Sequence, residues 1–396
     1  MKYNMKVGFI GLGKLGKDVS EVISTYYDVT GYDINPNNGA KIKQAKNLKD
    51  LCFKKNIIFV AVQTPHDPKY DGKNPTSHLI PKDFDYSIVK KVMKEINKFV
   101  NRRTLVVLIS TVLPGIVRKE IIPLISNPRF IYNPYLIAQG TVKWDMKNPE
   151  LIIIGTKEGK ETNDAKKLTE FYKPIIRKKN YRKVIGTYEE AESIKIFYNT
   201  FISTKLAFVN LIQDVAEKME NINSELVCDT LANSKMRITS SKYMKPGFGD
   251  GGGCHPRDNI ALRSLASRLN LGYDFFDAIM RAREIQAKNM ALKCLEYKKD
   301  VVILGKSFKP GIDQEAGSPS ILVGWYIEKY GVNQRLFYDK APLKNKSYVY
   351  LVHDNTKKYK FNKNSIVIDP YRRIKKSKNF TVIHYGNSRK DSISKF

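Results

Sequence analysis

Apolar residues along this chain follow three successive patterns. Between residues 6 and 156 they gather in short continuous runs: "KVGFIG" (6–11), "NIIFVAVQTP" (56–65), "TLVVLIST" (104–111), "RFIYNP" (129–134) and "ELIIIGT" (150–156), with polar stretches of helical character between several of them. Continuous β-branched runs predict strands of a parallel sheet covered on both faces. "DVTGYDIN" (28–35) reads as another strand, completing a βαβ unit with the first. From Tyr188 to about Glu217 the pattern changes, with no Gly or Pro for thirty residues. That length predicts roughly 45 Å of helix. More helix-type sequence continues to about residue 296, interrupted by a glycine-rich loop, "PGFGDGGGC". Past residue 299 strand runs return as "DVVILGKSFKP", "QRLFYD", "SYVYLVHD", "SIVIDPY" and "FTVIHYG", with one helix, "SILVGWYIEKYG".

The predicted architecture is therefore α/β, helical, α/β, with segments 1–187, 188–296 and 297–396. A chain of 396 residues is long enough for two or three domains, and 42% apolar content supplies ordinary cores. A long apolar helix in the middle is the kind of element that forms a domain junction or a dimer interface. The N-terminus enters a strand pattern almost directly and no run of about 18 uncharged apolar residues occurs, so the expectation is a soluble, cytoplasmic protein without membrane insertion. Cys52, Cys228, Cys254 and Cys294 lack metal-ligand spacing, so no metal site is expected. The formal charge of +30 is spread over the whole chain without a nucleic-acid-binding motif. It predicts salt-sensitive nonspecific affinity and a field that favours anionic small substrates, not specific nucleic-acid recognition.

Several stretches carry candidate chemistry. "GLGKLG" places Gly11, Gly13 and Gly16 at GxGxxG spacing, with Lys14 and Leu15 between the last two, directly after a strand and before a helix. Asp33 follows 22 residues after Gly11 at the end of the next strand, placed for ribose hydroxyls and against a 2′-phosphate. The cofactor this predicts is NAD. Thr64, Pro65, Ser110 and Thr111 end later strands, where an open α/β sheet binds its ligand; a plain strand-terminating turn explains the same residues.

Lys195 and Asn199 share one face of the long helix, and Lys195 among apolar neighbours either snorkels to solvent or is held toward a charge. Cys254 precedes Pro256 at a predicted helix start, with Arg257 near it and Asp258 one turn on. An inert cysteine and a nucleophile both remain open on those residues alone. A nicotinamide cofactor combined with a nucleophilic thiol points to a four-electron oxidation: alcohol to aldehyde, thiohemiacetal, thioester, acid.

Five motifs in order resemble the UDP-glucose/GDP-mannose dehydrogenase family: "GLGKLG", "NPYLIAQGTVKWDMKNPELIIIG", "AESIKIFYNTFISTKLAFVN", "PGFGDGGGCHPRD" and "VVILGKSFKPGID". The resemblance implies an N-terminal Rossmann-type NAD domain, a central long-helix dimerisation domain giving a homodimer, and a smaller C-terminal Rossmann-like domain that grips a UDP-sugar. It makes Cys254 the nucleophile and Lys195 the oxyanion stabiliser. Asn199, Asp258 and Thr111 would place the water and lysine used in proton transfer. Gln139 and Arg257 fall at cofactor positions. Tyr135, Leu136, Tyr243, Gly247, Gly251, Phe308 and Lys309 fall at substrate positions, and Arg237 is the arginine expected to reach a partner's site.

The chain departs from the family at two glutamates of its NPEFLxEG segment, which are Tyr135 and Gln139 here, and at RESP, which reads "AGSP" (316–319). A neutral Gln orients water but accepts no proton at neutral pH. Asp258 or a water chain is then the expected base for thioester hydrolysis. UDP-glucose to UDP-glucuronate, feeding surface polysaccharide synthesis, is the leading reaction. GDP-mannose or a UDP-N-acetylhexosamine, a two-electron hydroxy-acid dehydrogenase, and a nucleotide-sugar-binding pseudoenzyme remain the alternatives.

Overall fold

A computed structural model describes residues 3–387, apart from 37–38, 66, 71–72, 74, 139, 220, 241–243, 245, 253 and 310–313. Its contacts gather the chain into two compact units, 1–205 and 206–396. Three segments were expected, and the long helix runs across the division between the two observed units.

The first unit contains β1 (Lys6–Ile10), α1 (Gly16–Ser24), β2 (Asp28–Tyr32), β3 (Lys43–Gln44), α2 (Leu48–Cys52), β4 (Ile57–Val60), α3 (Ser87–Asn97), β5 (Leu105–Leu108), β6 (Phe130–Tyr132), α4 (Val142–Lys147), β7 (Leu151–Thr156), α5 (Asn163–Tyr172) and β8 (Arg182–Thr187). They form one eight-stranded sheet in the order β3-β2-β1-β4-β5-β6-β7-β8. Alternation fills both faces. Phe9, Phe59 and Val107 face one apolar cluster with Phe171, while Ile10, Ile58 and Leu108 face another with Met93 and Ile96. This is why the runs read as continuous rather than alternating. The sheet is not wholly parallel, since β6 and β7 meet antiparallel at Tyr132 and Gly155. β1 lies between β2 and β4, so successive crossovers leave it in opposite directions. That reversal opens a crevice at the carboxyl end of β1.

α6 (Tyr188–Lys218) follows β8 with no intervening loop. It leaves Phe197, Phe201, Ile202 and Leu206 exposed. The second unit adds α7 (Ser224–Ala232), α8 (Cys254–Arg268), α9 (Phe275–Leu295), β9 (Val301–Leu304), α10 (Pro319–Tyr330), β10 (Leu336–Tyr338), β11 (Val349–Val352), β12 (Ile366–Ile368) and β13 (Thr381–Ile383). Asp274 caps α9 by accepting the Asp277 N–H. The five strands are all parallel, ordered β10-β9-β11-β12-β13. α9 and α10 cover one face through Met290, Ala291, Cys294, Val323 and Ile327. The other face is roofed by Tyr359, Phe361 and Phe380 from irregular connections, with Phe361 and Phe380 4.9 Å apart. No described helix is long and apolar enough to cross a membrane.

Candidate active site

At the carboxyl end of β1, Gly11 holds a φ of +92°, and a Cβ there would fall 2.6 Å from the Ala61 carbonyl oxygen. Only glycine makes this turn at this distance. A Cβ on Gly16 would fall on the carbonyl oxygen of Gly11, so the start of α1 sits against the turn. Gly13 is different: a Cβ there meets nothing within 4 Å. Its lack of a side chain serves no internal packing and leaves the exposed backbone open to a close ligand. Lys14 is exposed and Leu15 half-buried beside it. Asp33 accepts the Leu12 N–H at 2.6 Å through one carboxylate oxygen and the Asn35 N–H at 2.9 Å through the other. Both oxygens keep lone pairs for ribose hydroxyls. A turn with open backbone amides and an aimed acid fits an adenine dinucleotide.

The strand ends beside it are tied together by hydroxyls. Ser110 Oγ donates to the Val62 carbonyl at 2.6 Å, and Thr64 Oγ1 donates to the Thr111 carbonyl at 2.7 Å. Pro65, half-buried, accepts the Asp85 N–H through its carbonyl. Ser110 and Thr64 therefore spend their donors on the protein, and Thr111 is held through its backbone.

On α6, Lys195 is half-buried, and burial lowers its ammonium below the ordinary lysine value. Asn199, one turn on, is exposed. Glu192, one turn earlier, is fully buried and accepts the N–H groups of Gly115 and Val117 at 2.6 and 2.7 Å. In the sequence Glu192 is one acid among the charges that open the helix, although its buried neighbours Tyr188 and Ala191 mark the apolar side.

Tyr135 turns inward. Its hydroxyl lies 2.7 Å from that of Tyr172, which donates to Asn133 Oδ1 at 2.6 Å. Leu136 packs against the first unit's core. Gln139 and Tyr243 lie outside the described residues, and Arg237 is exposed in a turn after α7.

In the second unit, Cys254 opens α8 and is exposed, with Asp258 one turn on. Asp258 raises the Arg257 guanidinium above its usual value, with a smaller part from the Cys254 sulfur, and bridges it at 2.9 Å. The glycine loop before Cys254 is anchored along its length. Arg372 donates to the Pro246 carbonyl at 2.8 Å, and the Phe248 ring stands edge-on to buried His353 at 4.5 Å. Arg283 bonds Asp250 at 2.5 Å, and the Gly252 N–H reaches the Gly317 carbonyl at 3.2 Å. A Cβ on Gly247 would strike the Tyr371 ring, and one on Gly251 would lie 3.0 Å from the Phe308 carbonyl. Phe308 lies over Gly251 and Gly252, followed by exposed Lys309. Beside the loop a cavity of about 410 Å³ is lined by Phe248, Arg283, Asn289, Arg372 and Tyr385. Sequence reasoning missed Arg283 and Arg372. Each lies far along the chain from the loop it holds.

Residues 37–176 match the UDP-glucose/GDP-mannose dehydrogenase family, NAD binding domain, and residues 189–284 match the central domain of the same family. Together they take in more than half of the chain. The chain belongs to this family.

Among its relatives, a GDP-mannose 6-dehydrogenase of Pseudomonas putida is 30% identical over 67% of this chain and 63% of its own, so the match spans a little under two thirds of that relative. A GDP-mannose 6-dehydrogenase of Pseudomonas aeruginosa is 28% identical over 87% of this chain and 85% of that one. A UDP-glucose 6-dehydrogenase of Campylobacter jejuni is 27% identical over 80% and 76%. The fold is that of a GDP-mannose dehydrogenase from Pseudomonas aeruginosa, solved as a ternary complex, with a TM-score of 0.77 at 21% identity over 96% of this chain and 99% of the other. As a family member the protein is of the NAD-dependent nucleotide-sugar dehydrogenase class, and its cofactor is NAD.

Proposed function

We propose that this protein oxidises the C6 alcohol of a nucleotide-linked hexose to the carboxylic acid, through a thiohemiacetal and a thioester on Cys254. The observation that carries this reading is a thiol at the exposed start of α8, behind an anchored glycine loop, in a chain whose other unit has an NAD-type turn. UDP-glucose to UDP-glucuronate and GDP-mannose to GDP-mannuronate are the two leading reactions, because relatives of both names match this chain.

Gly11, Gly13, Gly16 and Asp33 would hold NAD, which supplies a hydride acceptor for each oxidation. Lys195, with its lowered pKa, stabilises the alkoxide and later oxyanions. The Cys254 sulfur adds to the aldehyde carbon, forming a C–S bond while the carbonyl oxygen takes up a proton. After the second hydride loss, water attacks the thioester, the C–S bond breaks and the thiolate leaves. Asn199 and Thr111 orient that water, and Asp258 takes its proton in place of a glutamate at position 139. Phe308 and Lys309 contact the nucleotide sugar, and exposed Phe197 and Phe201 on α6 meet a second copy.

The test is NADH formed per nucleotide sugar, with excess NAD and limiting amounts of each UDP- and GDP-sugar. Two per sugar supports the reading and identifies the substrate. One per sugar replaces it with a two-electron dehydrogenase, and a burst that stops at the level of active sites replaces it with a protein that strands its thioester.

A further inference from the structure

The segment from Thr111 to Arg118 leaves the end of β5 and enters a short π-helical turn, Val117–Ile121. Irregular backbone beside a cofactor crevice needs partners for its polar groups. Its start is held by Thr64, which bonds the Thr111 carbonyl. Its middle approaches Tyr86, whose hydroxyl lies 3.3 Å from the Leu113 nitrogen. The far end is held from α6. Glu192 takes the Gly115 and Val117 N–H groups, one on each carboxylate oxygen. Glu189 takes Arg118, whose guanidinium also donates to the Lys157 carbonyl at 2.8 Å.

Residues 192, 195 and 199 stand at i, i+3 and i+7, so they occupy one stripe of α6. The carboxylate that grips the loop is thus built into the same face as the two polar residues assigned to the chemistry. Loop and stripe come from elements 75 residues or more apart in sequence.

We propose that Glu192 is a positioning residue for the oxidation, fixing the loop that carries Thr111 in register with Lys195 and Asn199. This rests on the functional reading above. The chemistry of the side chain is specific. Two N–H donors aimed at separate oxygens are matched best by an ionised carboxylate; a protonated acid makes one oxygen a poorer acceptor, and a Gln presents one acceptor and turns an NH2 toward the other N–H. Burial disfavours that anion. Desolvation, with Glu189 as a second negative charge, outweighs the two N–H bonds and Arg118 and holds Glu192 at about 7. Tyr132, whose hydroxyl is also buried, feels the same charge. A group that served stability alone would do better uncharged here.

The experiment compares the full-length protein with Glu192→Gln and Glu192→Ala at pH 8. Amide hydrogen exchange in peptides covering 111–118 should accelerate about tenfold or more in both variants, with β1 and β4 unchanged. With the best nucleotide sugar, kcat should fall about 10- to 100-fold while KM for NAD moves less than about threefold. The Gln variant should melt no lower than the parent, a combination that a merely structural role does not produce. Unchanged exchange in 111–118, or full kcat in the folded Gln variant, overturns the inference. A parent that oxidises no nucleotide sugar defeats the functional reading instead, and the exchange result then decides by itself whether Glu192 holds the loop. The Gln variant keeps the test alive if Ala does not fold.

Discussion

The hydroxyl of Tyr135 lies 2.7 Å from that of Tyr172, inside the first unit's core, where the family carries a glutamate. Each hydroxyl passes its proton donation inward, ending on Asn133, whose Nδ2 donates to the Ile153 carbonyl at 2.6 Å. Tyr135→Phe should therefore cost about 1 kcal/mol of stability and leave kcat near the parent value. Tyr135→Glu, which restores the family residue, should destabilise by roughly 2–4 kcal/mol because the carboxyl enters a site shaped for a phenol. Denaturant unfolding and turnover of both variants check this; a faster enzyme from Tyr135→Glu would refute it.

Gln139→Glu tests the other departure. If thioester hydrolysis limits turnover, a general base at this position should raise kcat by about tenfold or more. An unchanged kcat would assign water activation to another group, with Asp258→Asn the next variant to assay.

Cys254→Ser should retain NAD and nucleotide-sugar binding and lose acid formation by at least about 100-fold, since a neutral serine is a far weaker nucleophile toward the aldehyde. Mass spectrometry of the parent, quenched during turnover, should show the hexose acyl group on Cys254. Acid production by the serine variant at the parent rate would exclude the covalent route.

The last two glycines of the dinucleotide turn should separate folding from binding. Gly13→Ala meets no atom within 4 Å, so melting should move by no more than about 2 °C while NAD affinity falls about tenfold. Gly16→Ala drives a methyl into the Gly11 carbonyl and should lower stability by several kcal/mol. Equal effects of the two on melting would contradict the geometry.

Glu192 also predicts a pH dependence. Its pKa is raised from 4.5 to about 7, so the native state binds this proton more tightly than the unfolded chain. The stability it contributes is full below about pH 4.5 and is lost as pH rises through about 7. Subtracting the Glu192→Gln variant isolates the effect from other carboxylates: the parent should lose about 1–3 kcal/mol relative to the variant between pH 4.5 and 7.5. A flat difference would show that the site does not hold its proton.

Most strands and the whole of α6 were legible because each depends on local pattern: uninterrupted β-branched runs, and thirty residues without Gly or Pro. β3 was not, since two polar exposed residues on a sheet edge carry no periodic signal. β8 begins with Arg182 and Lys183 and gave no apolar run. The antiparallel approach of β7 to β6 was hidden because strand direction leaves no trace in side-chain alternation. Gly11, Gly13, Gly16 and Asp33 stood out because their spacing is the geometry. Glu192, Arg283 and Arg372 did not, because each grips a partner that only the tertiary fold brings near: backbone for Glu192 and Arg372, the Asp250 carboxylate for Arg283. The inward aim of Tyr135 is set by Tyr172, 37 residues away.

Asp33 makes coenzyme preference difficult to evolve by one step. The carboxylate proposed to meet the ribose also accepts the amide of Leu12 inside the turn. On that reading, a replacement that welcomed a 2′-phosphate would remove the charge conflict and, in the same stroke, release the turn backbone at Leu12. Conversion to a phosphorylated coenzyme must therefore pass through a variant that binds either form poorly, unless a second change first supplies Leu12 with a new acceptor.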